Sequence, residues 1–152
     1  MQLAGKPIVN AVSVAMRRQD RMLLVRRGRA PSLGFYAFPG GRVEQGELPE
    51  AAARRELFEE TGLEAGQLTP LFSIRIEGNE ADYDLQVFTT CHAGGEPTAG
   101  DDADEAGFFT LAEMRAMKVT ETVLTAAGEI LSPEATAATH EQLGAARETP
   151  CG

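Results

Sequence analysis

Apolar positions along this chain follow two different spacings, and each change of spacing marks a change of element. Ile8 to Met16 is a β-branched, apolar run. Arg17 to Asp20 is polar, and Arg21 to Arg27 is a second apolar run flanked by arginines, so the two runs predict a hairpin. Gly28 to Gly34 reads as loop from its Gly and Pro content, and Phe35 to Phe38 as a short aromatic strand that delivers Pro39-Gly40-Gly41. From Leu48 to Thr61 the chain turns rich in Ala, Leu, Glu and Arg. Pro49 stands where a first-turn proline is tolerated and Gly62 where a helix stops, so this stretch predicts a helix that packs Ala52, Ala53 and Leu57 on a core. Strands follow at Leu71 to Ile76 and Tyr83 to Thr90, joined by a Glu77 to Asp82 loop that holds Gly78-Asn79. Gly94 to Asp104 is a Gly- and acid-rich loop, and Glu105 to Phe109 a short strand. Thr110 with Glu113 three residues on forms a capping box, and Glu121 to Leu131 a last helix. This order predicts an α/β fold, a mixed sheet sandwiched by helices, with residues 1–131 as one domain. Residues 132–152 are polar and Ala/Thr-rich, a tail that is flexible or weakly helical over Glu134 to Arg147.

Composition narrows the function. A chain of 152 residues is one domain's length. The net charge of −9 argues against broad binding to nucleic acid or to an anionic membrane, and no apolar run reaches spanning length. It leaves room for a phosphorylated ligand, because bound divalent ions reverse the local field. The two cysteines, Cys91 and Cys151, have neither metal spacing nor the look of a disulfide framework, so they are expected unbridged, and a reducing cytoplasm is the simplest home.

The chemistry concentrates between Gly40 and Leu63, which hold six glutamates: Glu44, Glu47, Glu50, Glu56, Glu59 and Glu60. On the predicted helix Glu56, Glu59 and Glu60 stand at i, i+3 and i+4, on one face. Charge runs are usually a solvated surface, but all-oxygen donors at this density suit a hard cation such as Mg²⁺ or Mn²⁺ rather than zinc. Arg55 is placed to orient carboxylates through a charge-assisted fork, with Glu47 as a partner.

The run from Gly41 to Leu63 resembles the Nudix hydrolase signature at each fixed position. Gly41 is followed after five residues by Glu47, then after seven by Arg55-Glu56-Leu57, after one by Glu59-Glu60, and after one by Gly62-Leu63. The resemblance implies the Nudix fold, an α/β/α sandwich, and divalent-metal-dependent hydrolysis of a phosphoanhydride in a nucleoside diphosphate linked to another moiety. It implies Mg²⁺ or Mn²⁺ held by Glu56, Glu59 and Glu60, with the Gly40 carbonyl and Glu105 as further ligands. Catalytic roles fall to Glu56 or Glu59 as general base and to Arg55. Arg26 or Arg27, Glu44 and Phe35 are candidate substrate contacts. An ADP-ribose-like compound, a nucleotide sugar or a (deoxy)nucleoside triphosphate are all open as substrate. So are a coenzyme A-type pyrophosphatase, a non-catalytic nucleotide-sensing module, and a homodimer.

Overall fold

The computed structural model describes residues 5–28, 32–100 and 103–131. The expectations for residues 132–152 and for parts of the Gly28 to Gly34 and Gly94 to Asp104 loops lie outside it. Seven strands and three helices are described: β1 (Ile8–Arg18), β2 (Arg21–Arg27), β3 (Tyr36–Ala37), β4 (Gly40–Arg42), α1 (Pro49–Thr61), β5 (Thr69–Glu77), β6 (Asp82–Cys91), β7 (Ala103–Thr110), α2 (Leu111–Arg115) and α3 (Glu121–Leu131).

The sheet is mixed and forks. β1 and β2 meet as a hairpin only at its tip, through Arg17↔Met22 and Arg18↔Arg21. Beyond the tip they part. β1 runs parallel to β6 from Ile8 to Arg17 and pairs antiparallel with β4, while β2 pairs with β3 and β7. β5 closes one edge, antiparallel to β6.

Alternation along the strands makes two cores from one sheet. Val12, Val14 and Met16 of β1, Leu23 of β2 and Phe88 of β6 face one side, where Ala52, Ala53 and Leu57 of α1 cover them. Ala15, Met22, Leu24 and Val87 face the other, against Met114 of α2 and Val123, Ala126 and Ala127 of α3. The α/β/α sandwich follows from this two-sided burial.

The helix ends are set by local chemistry. Leu48 is the N-cap of α1 and makes no side-chain cap bond, and Gly62 ends the helix in the left-handed region at φ 74°. The Thr110 hydroxyl accepts from Glu113 N–H at 3.1 Å while Glu113 Oε1 accepts from Thr110 N–H at 2.8 Å, the reciprocal cap of α2.

Four expectations change. Gly40–Arg42 is a strand, not only a loop before the helix. β7 begins at Ala103, so Asp104 belongs to a strand rather than to the preceding loop. The aromatic strand is shorter, Tyr36–Ala37. Cys91 is disulfide-bonded, against the expectation of unbridged cysteines.

Candidate active site

The site is built where β4 meets α1. Gly40 and Gly41 pair with Ser13 and Val12 of β1, and both positions exclude a side chain. A Cβ on Gly40 would lie 2.1 Å from the Val12 carbonyl oxygen; one on Gly41 would lie 2.4 Å from the Glu56 carboxylate carbon. The two glycines thus bring the α1 carboxylates onto the main chain of β4.

The ladder also fixes which groups of β4 face the helix. Val14 N–H donates to the Pro39 carbonyl and Val43 N–H to the Asn10 carbonyl, each at 2.9 Å. By alternation, Gly41 bonds Val12, and Gly40 turns its N–H and C=O away from β1. The Gly40 N–H donates to Glu60 Oε1 at 3.1 Å, so its carbonyl opens toward the same side.

Arg55 organises the acids, and all five of its N–H donors are used. Nε and Nη2 form a fork on the two oxygens of Glu47, both at 2.9 Å. Nη1 reaches Glu56 Oε2 at 3.0 Å and Glu59 Oε1 at 3.4 Å, and Nη2 also donates to the Arg42 carbonyl at 3.1 Å. Glu44 lies farther out, 3.9 Å from Nη2, and its N–H donates to Glu47 Oε1 at 3.0 Å. The fork drops the Glu47 carboxyl to about 2, helped by the Glu44 N–H, and the same bond raises Arg55 above its usual value. Glu56 shifts the other way. Burial raises its pKa against the pull of Arg55, and the charges of Glu59 and Glu44 add to the rise.

A divalent cation fits this arrangement. Among the described residues no three acidic, His or Cys side chains stand close enough to hold an ion as they are placed. Yet the donors are all oxygens, one carboxylate is half-buried among like charges, and a main-chain carbonyl faces them. That crowding is what a hard cation relieves.

The remaining candidates lie elsewhere. Glu105 does not join the α1 acids; it sits on β7 opposite Arg26 of β2 and accepts from the Tyr36 hydroxyl at 2.5 Å. That bond raises the Tyr36 pKa. Arg26 pairs with Asp104 at 3.6 Å, both partly exposed. Between Arg26 and Arg27 the β2–β7 register shifts, and the Arg27 N–H donates to the Phe35 carbonyl at 2.8 Å. The Lys118 ammonium lies 5.0 Å from the centre of the Phe35 ring.

Two groups have no counterpart in the sequence-based candidates. Lys118 gave no sequence signal, being a lone charge between helices. Gly100 packs its main chain on the end of α1, where a Cβ would come within 2.2 Å of the Glu59 carbonyl oxygen. Gly100 N–H donates to the Glu60 carbonyl at 2.9 Å and Thr98 N–H to the Thr61 carbonyl at 3.0 Å, satisfying carbonyls a helix end leaves open. The glycine-rich composition of this loop was legible; its docking on α1 was not.

Comparison with known proteins places these features in context. The model of the NUDIX domain family matches residues 7–127. An ADP-ribose pyrophosphatase of Methanocaldococcus jannaschii is 40% identical over 103 residues, 66% of this chain and 61% of that protein. An oxidized purine nucleoside triphosphate hydrolase of Danio rerio is 37% identical over 91 residues, 59% of this chain and 58% of that protein. The chain thus spans about three fifths of the length of these curated relatives. A crystal structure of a MutT NUDIX hydrolase from Burkholderia pseudomallei superposes with a TM-score of 0.74 at 28% identity, covering 80% of this chain and 97% of that one.

Proposed function

The chain belongs to the NUDIX domain family, and from that premise we propose that it is a divalent-metal-dependent pyrophosphohydrolase. Its substrate class is a nucleoside diphosphate linked to a second moiety, cleaved at the phosphoanhydride. The observation that carries this reading is the Arg55-bound carboxylate face of α1 set against the bare main chain of Gly40 and Gly41.

Glu56, Glu59, Glu60 and the Gly40 carbonyl would hold Mg²⁺ or Mn²⁺. When bound, such ions neutralise phosphate oxygens and acidify a water at phosphorus. The protein's own groups do the rest. Arg55 keeps Glu56 and Glu59 oriented and Glu47 ionised, so the carboxylates do not scatter by repulsion. Glu59 is the proposed general base: it is the more exposed of the two candidates and receives only the longest of the Arg55 bonds, 3.4 Å, leaving an oxygen for a water proton. Arg26 and Lys118 supply positive charge for substrate phosphates. Each sits in a pairing that an anion can replace, Arg26 with exposed Asp104 and Lys118 over Phe35. Tyr36 and Glu105 fix the strand surface beside Arg26.

The relatives' names, ADP-ribose pyrophosphatase and oxidized purine nucleoside triphosphate hydrolase, set the first substrates to try. A sensor without turnover is the rival. Retention of Glu47, Glu56, Glu59 and Glu60 together favours the enzyme. The test is product analysis in Mg²⁺ over ADP-ribose, nucleotide sugars, coenzyme A, dinucleoside polyphosphates and oxidised dNTPs. Release of a nucleoside monophosphate from at least one is the expected result. Nucleotide binding without turnover across the panel would reverse the choice in favour of the sensor.

A further inference from the structure

β5 is an edge strand of nine residues, paired only with β6 among the described residues and exposed along most of its length. It carries Ile74 at 40% and Ile76 at 38% exposure. A long bare edge with apolar side chains is a template for another strand unless something covers it.

The register shows what the edge offers. Asp82 N–H donates to the Pro7 carbonyl at 2.9 Å, so the even-numbered residues of β6 turn their main-chain groups to β1 and the odd-numbered ones to β5. Through Tyr83↔Ile76 and Leu85↔Ile74, the even residues of β5 bond to β6. Ser73, Arg75 and Glu77 therefore present their N–H and C=O groups outward.

The charges add a direction. Arg75 is ion-paired with Asp84 across the β5–β6 ladder. Glu77 stands opposite Asp82, a like charge, in the same ladder. Asp82 already holds Lys6 at 3.3 Å, and Lys6 also donates to the Gly78 carbonyl. Glu77 thus faces an acid across the ladder, while Arg75 of its own strand stays partly exposed beside its Asp84 pair.

We propose that this edge docks a second copy of the chain, β5 antiparallel to β5 about a two-fold axis at Ile76. That register joins the outward groups of Arg75 and Glu77 and sets Arg75 opposite the partner's Glu77, twice by symmetry. Arg75 then lies between Asp84 of its own chain and the partner's Glu77. On the other face Ile76 meets the partner's Ile76, continuing the Tyr83–Ile76 row. Neighbouring registers do worse: an axis at Arg75 puts arginine against arginine, and an axis at Ile74 faces Glu77 with an apolar Leu71.

Sedimentation of the full chain at micromolar concentration tests this, with thermal unfolding as a check on the fold. The wild type is expected as a dimer. Arg75→Glu and Glu77→Arg each place like charges opposite twice and should weaken the dimer by roughly tenfold or more. The double variant restores opposite charges in the reversed order and should recover it. A monomeric wild type, a dimer indifferent to the single changes, or singles that the double change fails to rescue would each overturn the proposal.

Discussion

At the scale of single residues, Arg55 is the organising group. It holds three glutamates that would otherwise repel, and the planar fork on Glu47 cannot be copied by an ammonium. Arg55→Lys is therefore expected to lower kcat by on the order of 10²-fold through misplaced carboxylates, while far-ultraviolet circular dichroism stays that of the native protein. The two adjacent glycines separate fold from function. In Gly41→Ala the new methyl group meets the movable Glu56 carboxylate, so turnover should drop by at least about tenfold with little change in melting temperature. In Gly40→Ala it meets the Val12 carbonyl, so the melting temperature itself should fall. Equal loss of stability in the two variants would show that Glu56 does not depend on Gly41. Glu47 carries a pH signature as well. Its folded pKa is about 2 against an unfolded value of about 4.3, so its contribution is complete above the unfolded value and is lost as pH falls from there toward 2. Urea midpoints of wild type and Glu47→Gln should converge through that window; a constant difference between them would mean the fork adds no pH-dependent stability.

At the scale of elements, α1 matters most, and it owes little to its N-terminal end. Its N-cap makes no side-chain bond, so packing and the Arg55 fork hold it. Leu57 is fully buried beneath the carboxylate turn. Leu57→Ala should cost about 3 kcal/mol of stability in denaturant unfolding. The loop reaching Gly100 clamps the other end of α1, and Gly100→Ala should displace the Glu59–Glu60 main chain. The strands and helices that carry a clear period were legible in the sequence. β2 and α3 begin and end where the pattern says, because charged or turn residues bracket their apolar runs. β4 was not legible as a strand: Gly-Gly-Arg has no β preference, and it pairs because β1 offers a partner. That Glu56, Glu59 and Glu60 fall within the last turns of one helix was legible from the composition and the Gly62 stop. The placement of Glu105 was not, since it depends on the registers in which β7 and β3 each pair with β2 at Arg26, a fact of tertiary pairing.

At the scale of the molecule, an acidic chain of net charge −9 is matched to an acidic ligand only if cations intervene. The sheet makes this possible by splitting its work. One face seats α1 on a hydrophobic floor of Val12, Val14, Leu23 and Phe88, and the other is buried under α2 and α3. The rigid sheet then holds β4 against α1, so that glycine main chain and carboxylate turn converge. The same sheet leaves β5 as an edge that pairs, among the described residues, with β6 alone.

The most direct test titrates Mn²⁺ into the full chain and follows free ion by electron paramagnetic resonance, comparing wild type with Glu56→Gln, Glu59→Gln and Glu60→Gln. A site in the wild type that weakens by about tenfold or more in each variant is the predicted result, given the loss of one charged oxygen ligand. Manganese affinity identical in all four proteins would contradict the claim that the carboxylate turn of α1 is the metal site.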